Sequence, residues 1–424
     1  MGYPDTYYAA TRHPAPERPP LKGDETCDVC VIGGGFAGLS AALHLAESGK
    51  KVILLEAEKI GFGASGRNGG QVVNGYSRGY DDILRRCGKD TAEAMLAMSF
   101  AGGDIIRQRI EKYGIACDYR EGTFFAAFTK KQMAGLEHEK ALWERAGNTA
   151  LEMFGAERIH EIAATKLYIG GLLDRRGGHL HPLNLALGEA AAIESLGGRI
   201  FEDSRVIRVG KDGKPKVRTA HGSVAADFVV VCGNAYLTGV LPELTGRIMP
   251  ASSQVIATEP LGAGLAQKLM PNGASVEDCN FLLDYYRMTA DHRLLFGGGV
   301  IYSGYEPGDV IRRLRPHLDR TFPTLRDKKI DFAWNGQFAL TLTRLPHLGR
   351  LSDTVYFIQG NSGHGVTACH LEGKLVAEAI NHQAGEFDIF ANIRNYPFPG
   401  GRTFRVPLTV LGAWYYGLRE VLGL

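Results

Sequence analysis

An α/β fold is predicted for this 424-residue chain by three observations. A short apolar run, Asp28-Val-Cys-Val-Ile32, leads directly into glycines at positions 33, 35 and 38. Leu39, Leu43 and Ala46 then recur at helical spacing up to Gly49, and a second apolar run from Lys51 ends in Glu56. Short apolar runs bounded by turn residues suit strands of a parallel sheet, whose two faces are both covered. Strand, glycine turn, helix and strand within about 30 residues make a β-α-β unit.

Each part of that unit has a physical task in holding a dinucleotide. Gly33 permits the tight turn, Gly35 lets a pyrophosphate approach the backbone, and Gly38 allows close helix–strand packing. The glycine turn opens the helix at Phe36 and Ala37, so the positive end of the helix faces the phosphates. Glu56, at the carboxyl end of the second strand, is placed to accept hydrogen bonds from a ribose hydroxyl. The unit therefore reads as a Rossmann-type dinucleotide-binding domain.

Elsewhere the pattern is less regular. Residues 1 to 24 read as an extended arm, because Pro14, Pro16, Pro19 and Pro20 oppose helix. Leu183 to Leu196 reads as a helix, and residues 206–209, 216–218 and 223–224 as short strands of a meander. Asp227 to Cys232 is a further buried strand, capped by Gly233-Asn234-Ala235. Residues 251 to 343 read mostly as short strands, with one helix near 311 to 322. Val355 to Ile358 is a strand, Gly360 to Gly365 a glycine-rich loop, and Val366 to Asn381 a helix.

Composition excludes several classes. Lys and Arg total 48 against 46 Asp and Glu, so no basic footprint for nucleic acid exists. No stretch reaches the roughly 18 apolar residues of a membrane span. Residues 1 to 25 lack the apolar core of a signal peptide, and the seven cysteines are scattered, which together predict a cytoplasmic chain with reduced thiols. Cys27 and Cys30 form a CxxC without a second pair nearby; three apart on a strand, they are expected on opposite faces, with no metal between them. From Phe404 to Leu424, Leu411, Trp414, Tyr415, Leu418, Val421 and Leu422 recur at helical spacing near Arg402, Arg405 and Arg419. Packing on the rest of the chain is the expected role of that segment, and docking on a membrane surface or a partner the less favoured one.

Two further loops extend the nucleotide reading. Ala64-Ser-Gly-Arg-Asn-Gly-Gly-Gln71 is a polar glycine-rich loop suited to thread beneath the middle of a longer cofactor. At Gly360-Asn-Ser-Gly-His-Gly-Val366 a loop enters a helix whose N–H groups would stabilise negative charge on a reduced flavin. With the strand–turn VVVCGNAYL at 229 to 237 and GHGVT at 363 to 367, these segments resemble the D-amino-acid oxidase (glycine/sarcosine oxidase) family of flavoproteins. Within it, GFGASGRNGGQ, DYYRMTADHRLLFGGG (284 to 299) and TLTRLPHLGRL (341 to 351) are most similar to members acting on γ-glutamylputrescine. The likeness runs to PFPGGR at 397 to 402.

The resemblance implies an FAD-binding domain interleaved with an α+β substrate domain on a mixed sheet. The expected FAD-binding parts are 24–115, 175–250 and 345–385; the substrate parts are 116–174 and 251–344; residues 386–424 form a C-terminal extension. It implies oxidation of an amine carbon–nitrogen bond, with γ-glutamylputrescine or a related γ-glutamylated polyamine as substrate. A glycine, sarcosine or D-amino-acid oxidase is the alternative, and a flavin-binding module without turnover is another. The FAD is expected to be non-covalent: residues 65–71 lack the histidine, and residues 332–350 the cysteine, that attach it in some relatives.

The residues expected at the cofactor are Gly33, Gly35, Phe36, Ala37, Gly38 and Glu56 in the first unit. Ala64, Ser65, Arg67, Asn68, Gly69, Gly70 and Gln71 follow in the second loop. Val206, Gly233, Gly363, Gly365, Val366 and Thr367 complete the set. For the substrate, Tyr285 and Trp334 are expected as aromatic walls and Arg287 as a bidentate fork for a carboxylate. Tyr285 and Arg287 share a strand face, with Tyr286 on the other. His364, between two glycines at a helix start, is expected at the flavin or the substrate proton. His179 and His181 share one side of an extended segment and are candidates to line the cofactor's approach. The expected partner is a small-molecule amine.

Overall fold

The computed structural model describes residues 2–210, 214–237, 239–400 and 404–412. Two sheets organise them. The first has the strand order His347–Ser352, Val355–Gln359, Gly222–Val231, Gly23–Ile32, Val52–Leu55 and Arg199–Phe201. Its four inner pairings are parallel and the first is antiparallel; Lys216–Arg218 joins Gly222–Val231 from the side.

Side-chain alternation explains why its strands read as unbroken apolar runs. Val29, Val31, Val52 and Leu54 enter one core cluster, whereas Cys30, Ile32, Ile53 and Leu55 enter the cluster on the opposite face. With both faces covered, neither set of alternate positions can be polar. The helix Phe36–Glu47 is buried nearly all round for the same reason, lying between the sheet and the helix Gly365–Ile380.

A buried polar cluster ties the helices of this layer together. Glu189 Oε1 lies 2.6 Å from Arg109 Nη1 and 2.9 Å from His370 Nε2. Arg109 also donates to the carbonyl of Ser40, and Ser40 Oγ donates to the carbonyl of His370. The His370 ring packs 5.1 Å from that of Phe36. Four helices, Phe36–Glu47, Ala101–Tyr113, Pro182–Ser195 and Gly365–Ile380, are thus held through one carboxylate.

The second sheet is mixed. Its order is Ile330–Leu340, Met249–Thr258, Leu294–Ile301, Tyr285–Met288, Ser275–Asp278, Arg120–Ala127, Gly170–His179 and Gln71–Val72, with Leu151–Gly155 on Gly170–His179. Only Ser275–Asp278 with Arg120–Ala127 is parallel among these pairs. One face packs on the helix Val310–Thr321 through Leu314, Leu318, Tyr286 and Phe296. The strand Gly170–His179 runs across the expected domain boundary at 174/175, and Gln71–Val72 carries the glycine-rich loop from the first layer into the second sheet.

Three local expectations are corrected. The N-terminal arm holds a short helix, Tyr7–Thr11, capped by Thr6 Oγ1, and Tyr7 and Tyr8 lie in the core; the prolines begin only after it ends. Residues 223–224 and 227–232 are not separate, since Gly222–Val231 is one strand paired along its length with Gly23–Ile32. Cys27 and Cys30 share one face instead of opposing, because Asp28 and Val29 both donate to the carbonyl of Lys51 and the alternation slips by one. In the C-terminal segment, Arg405 donates to the carbonyls of Thr245 and Ile248, while Phe404 and Leu411 are exposed. Arg402, Trp414, Tyr415, Leu418, Arg419, Val421 and Leu422 lie outside the described residues. Among the described residues no helix is long and apolar enough to cross a membrane.

Candidate active site

A cavity of about 580 Å³ runs between the two sheets. At one end stands the glycine turn. Gly33 has φ +110°, and a Cβ on Gly38 would fall 1.9 Å from the Gly33 carbonyl oxygen, so the helix can start only where it does without a side chain there. The helix Phe36–Glu47 has Gly35 at its N-cap, without a capping side chain or an acidic residue in its first turn. Ser65 Oγ accepts the Phe36 N–H at 2.9 Å, drawing the second glycine-rich loop onto the first. Glu56 Oε2 accepts from Gly34 N at 2.6 Å and Oε1 from Glu58 N at 2.8 Å. Burial raises the Glu56 pKa, while those backbone N–H groups oppose the shift.

The loop from 64 to 71 is built by its own polar side chains. Asn68 Nδ2 donates to the carbonyls of Ala64 and Ser65, and its Oδ1 accepts from Gly70 N. Arg67 donates to Tyr236 Oη and to the carbonyls of Gly63 and Asn335. Gln71 Nε2 reaches the carbonyl of Val276 in the second sheet.

The third segment closes the cavity from the other side. The helix Gly365–Ile380 has His364 at its N-cap and, like the first, no capping side chain or early acidic residue. His364 Nδ1 is buried without a hydrogen-bond partner among the described residues, and burial pushes its pKa down to about 4, leaving the ring neutral at pH 7. His364, Val73 and Arg78 also border a second cavity, of about 500 Å³.

Most of the residues expected from sequence line the main cavity. From the first unit these are Gly33, Gly35, Phe36, Ala37 and Glu56; from the loop, Ala64, Ser65, Arg67, Asn68, Gly69 and Gln71. Val206, Gly233 and the run Gly363 to Thr367 line it too, as does Tyr285. Four expected residues do not. Gly38 is spent on helix–strand packing, and Gly70 turns the loop and accepts from Leu180 N. Trp334 is 4% exposed and donates from Nε1 to the Arg67 carbonyl at 2.9 Å. Arg287 is 3% exposed; its nitrogens serve the Gly69 carbonyl (2.6 Å), Tyr8 Oη (3.0 Å) and the Met288 carbonyl (3.4 Å), so no fork remains for a substrate carboxylate. His179 and His181 are buried structural groups. His179 Nε2 lies 2.9 Å from the Gly273 carbonyl oxygen, and His181 Nδ1 caps the helix Pro182–Ser195 by accepting from Asn184 N. Burial, with the Arg287 charge, pushes both down to about 3.

One wall of the main cavity belongs to a single row across the second sheet. Trp334, Val255, Gly297, Tyr285, Glu277 and Phe125 are successive register partners and therefore share a face. Val255, Tyr285 and Glu277 line the main cavity, and Phe125 the second. Glu277 was not among the residues expected from sequence. An acidic residue alternating with a buried valine on a strand reads as solvent-facing, and only strand pairing shows that this face looks into a cavity.

The profile of the DAO family, described as FAD dependent oxidoreductase, matches residues 28–379. The chain belongs to that family. This FAD-dependent oxidoreductase is 54% identical over 419 residues to gamma-glutamylputrescine oxidoreductase of Escherichia coli, covering 99% of this chain and 98% of the relative. It is 42% identical to the probable oxidoreductase OrdL of Haemophilus influenzae, over 97% and 96% of the two chains. Among solved structures, glycine oxidase of Geobacillus kaustophilus superposes with a TM-score of 0.71 at 20% identity, covering 85% and 95% of the chains, a likeness of fold. The DAO oxidoreductase has a cavity that fits FAD: its lining extends from the glycine turn to the second sheet, two helix N-termini without capping side chains open on it, and its glycine turn leaves backbone exposed to an anion.

Proposed function

We propose that this DAO oxidoreductase oxidises the terminal amine of γ-glutamylputrescine, or a related γ-glutamylated polyamine, with FAD held non-covalently along the main cavity. The observation that carries the reading is that one cavity joins the dinucleotide turn to an aromatic wall from the second sheet. The 54% identity to gamma-glutamylputrescine oxidoreductase over almost the whole of both chains supports the choice of substrate.

In this reading Glu56 accepts from the adenosine ribose and the start of the helix Phe36–Glu47 faces the pyrophosphate. The loop 64–71 would support the middle of the cofactor, and the N–H groups at Gly365 to Thr367 would stabilise negative charge on the reduced flavin. The bound flavin supplies the hydride acceptor for the amine carbon. The chain's part is positioning. The Tyr285 ring is pinned between Gly69 and Gly297, with its Oη 3.4 Å from Ser253 Oγ, and forms a fixed apolar surface for the alkyl chain. Neutral His364 presents an unpartnered Nδ1 at the helix entrance without adding positive charge. Exclusion of water by this wall lowers the substrate ammonium's pKa, favouring the neutral amine that can be oxidised.

Arg287 does not supply the carboxylate fork that a small amino acid would need, since its three nitrogens donate to Gly69, Met288 and Tyr8. The test is an absorption spectrum of the purified holoenzyme, recorded anaerobically before and after γ-glutamylputrescine. Bleaching of the flavin bands is the expected result. Bands that persist with this substrate and bleach with glycine, sarcosine or a D-amino acid would replace the proposal with that reading. Acid precipitation should release FAD into the supernatant; a yellow pellet would show a covalent link.

A further inference from the structure

Beyond the cofactor cradle, the cavity wall carries one carboxylate with no structural employment. Glu277 lies on Ser275–Asp278, opposite Tyr285 on one side and Phe125 on the other. No described residue forms a hydrogen bond or ion pair with its side chain, in contrast to Asp278, whose carboxylate accepts from Asn280 N and Asp284 N. It is half-buried and borders the main cavity, next to the row position that borders the second. A desolvated carboxylate without a partner is costly to keep, and a cation arriving in the cavity relieves that cost.

We propose that Glu277 is a subsite for the substrate's primary alkylammonium: it draws the charged nitrogen to the Tyr285 wall and then takes its proton. The inference rests on the amine reading above and adds the residue that selects the nitrogen. The step balances simply: an N–H bond of the ammonium breaks, an O–H bond forms on a Glu277 oxygen, and a neutral amine and a neutral carboxyl result. Burial, with Asp278 beside it, holds Glu277 up to about 7, close to what such a transfer at neutral pH requires. Of the other titratable groups around it, one, the neighbouring Asp278, lies near that value. Tyr285 and Cys279 are pushed up to about 12 and His364 down to about 4, all by burial, and Asp278 stands at about 6. Arg78 shares the cavity wall.

The test compares the wild-type holoenzyme with Glu277→Gln and Glu277→Asp. Glu277→Gln should keep its FAD and visible spectrum, yet show KM for γ-glutamylputrescine raised about tenfold or more. The limb of kcat/KM that rises with pH near 7 should disappear in it, and Glu277→Asp should restore part of both. A second readout needs no turnover. Tetramethylammonium carries the charge but has no nitrogen lone pair for oxidation, and its dissociation constant, read from the flavin difference spectrum, should rise by a similar factor in Glu277→Gln. Wild-type KM, pH profile and cation affinity in Glu277→Gln would overturn the subsite and leave amine oxidation standing. A wild-type flavin that no amine bleaches would overturn the amine reading, and the subsite with it.

Discussion

The carbonyl of Gly69 accepts a hydrogen bond from Arg287 Nε at 2.6 Å, so a guanidinium of the second sheet holds the loop that crosses from the first. Tyr8, brought in by the N-terminal segment, completes the contact through its hydroxyl. Replacing Arg287 by Met should therefore loosen the cofactor loop instead of weakening substrate binding alone. Hydrogen bonds to a buried charge are worth about 1.5–3 kcal/mol each. Arg287→Met should lower Tm by several degrees and lose FAD on dialysis. A variant with normal FAD content and only a raised KM would return Arg287 to the substrate.

Gly69 meets the second sheet in another way. A Cβ at this position would lie 2.5 Å from the Tyr285 ring, closer than any real contact, so Gly69→Ala must displace that ring. Steady-state kinetics should show kcat/KM down by roughly tenfold to a hundredfold, in keeping with the sensitivity of positioned groups to small shifts. Adding Tyr285→Leu removes the obstacle. The double variant should recover the Tm lost by Gly69→Ala but not its activity; recovery of neither would show that the clash is not the cause.

At the opposite end of the cavity, both Glu56 oxygens already accept backbone N–H groups. Glu56→Gln turns one acceptor into an NH₂ facing a donor, a cost of about 1–3 kcal/mol. FAD titrated into the apoprotein, followed by flavin fluorescence, should bind about tenfold or more weakly. Unchanged affinity would remove Glu56 from the ribose.

Acid should unfold this protein in a manner traceable to Glu189. Burial alone would raise its pKa, but the His370 ring and the Arg109 guanidinium outweigh it and hold the group at about 2. An unfolded glutamate titrates near 4.3, above the folded value, so the stabilisation is fully present above about pH 4.5 and is lost as pH falls towards 2. The amount is on the order of 3 kcal/mol. His179 and His181, kept neutral by burial, act in the same direction from about pH 6.5 downward, since only the unfolded chain takes up their protons there. Tm measured against pH should fall throughout this range. Glu189→Gln should flatten the part below pH 4.5 while costing about 3–5 kcal/mol at neutral pH, because Arg109 is left buried without its counter-ion. An identical slope in the variant would sink this account.

How far the site was readable depended on the range of the interaction. Local signals singled out Gly33, Gly35, Ser65, Asn68 and the run from Gly363 to Thr367, all of which line the main cavity, since a glycine turn or a helix start is built by neighbours in the chain. The same holds for the helix Gly365–Ile380 and the strand Val355–Gln359, expected within a residue or two. Alternation also assigned Tyr285 and Arg287 to one face, as observed. What it did not show was the loop lying over that face, which hides Arg287 and leaves Tyr285 at the cavity.

By itself, then, the amino-acid sequence determined the α/β class, the glycine turn with its acidic strand end, and the three segments that line the cavity. These depend on backbone geometry and apolar periodicity, which act over a few residues. Only the tertiary structure decided which polar groups are spent on packing and which face a ligand. Trp334 and Glu277 stand in the same register row, four strands apart; one is sealed under the Arg67 carbonyl and the other opens on the cavity. Burial and electrostatic environment belong to the assembled sheets, because they depend on residues far away in the chain, as Trp334 depends on Arg67 and Glu277 on Phe125.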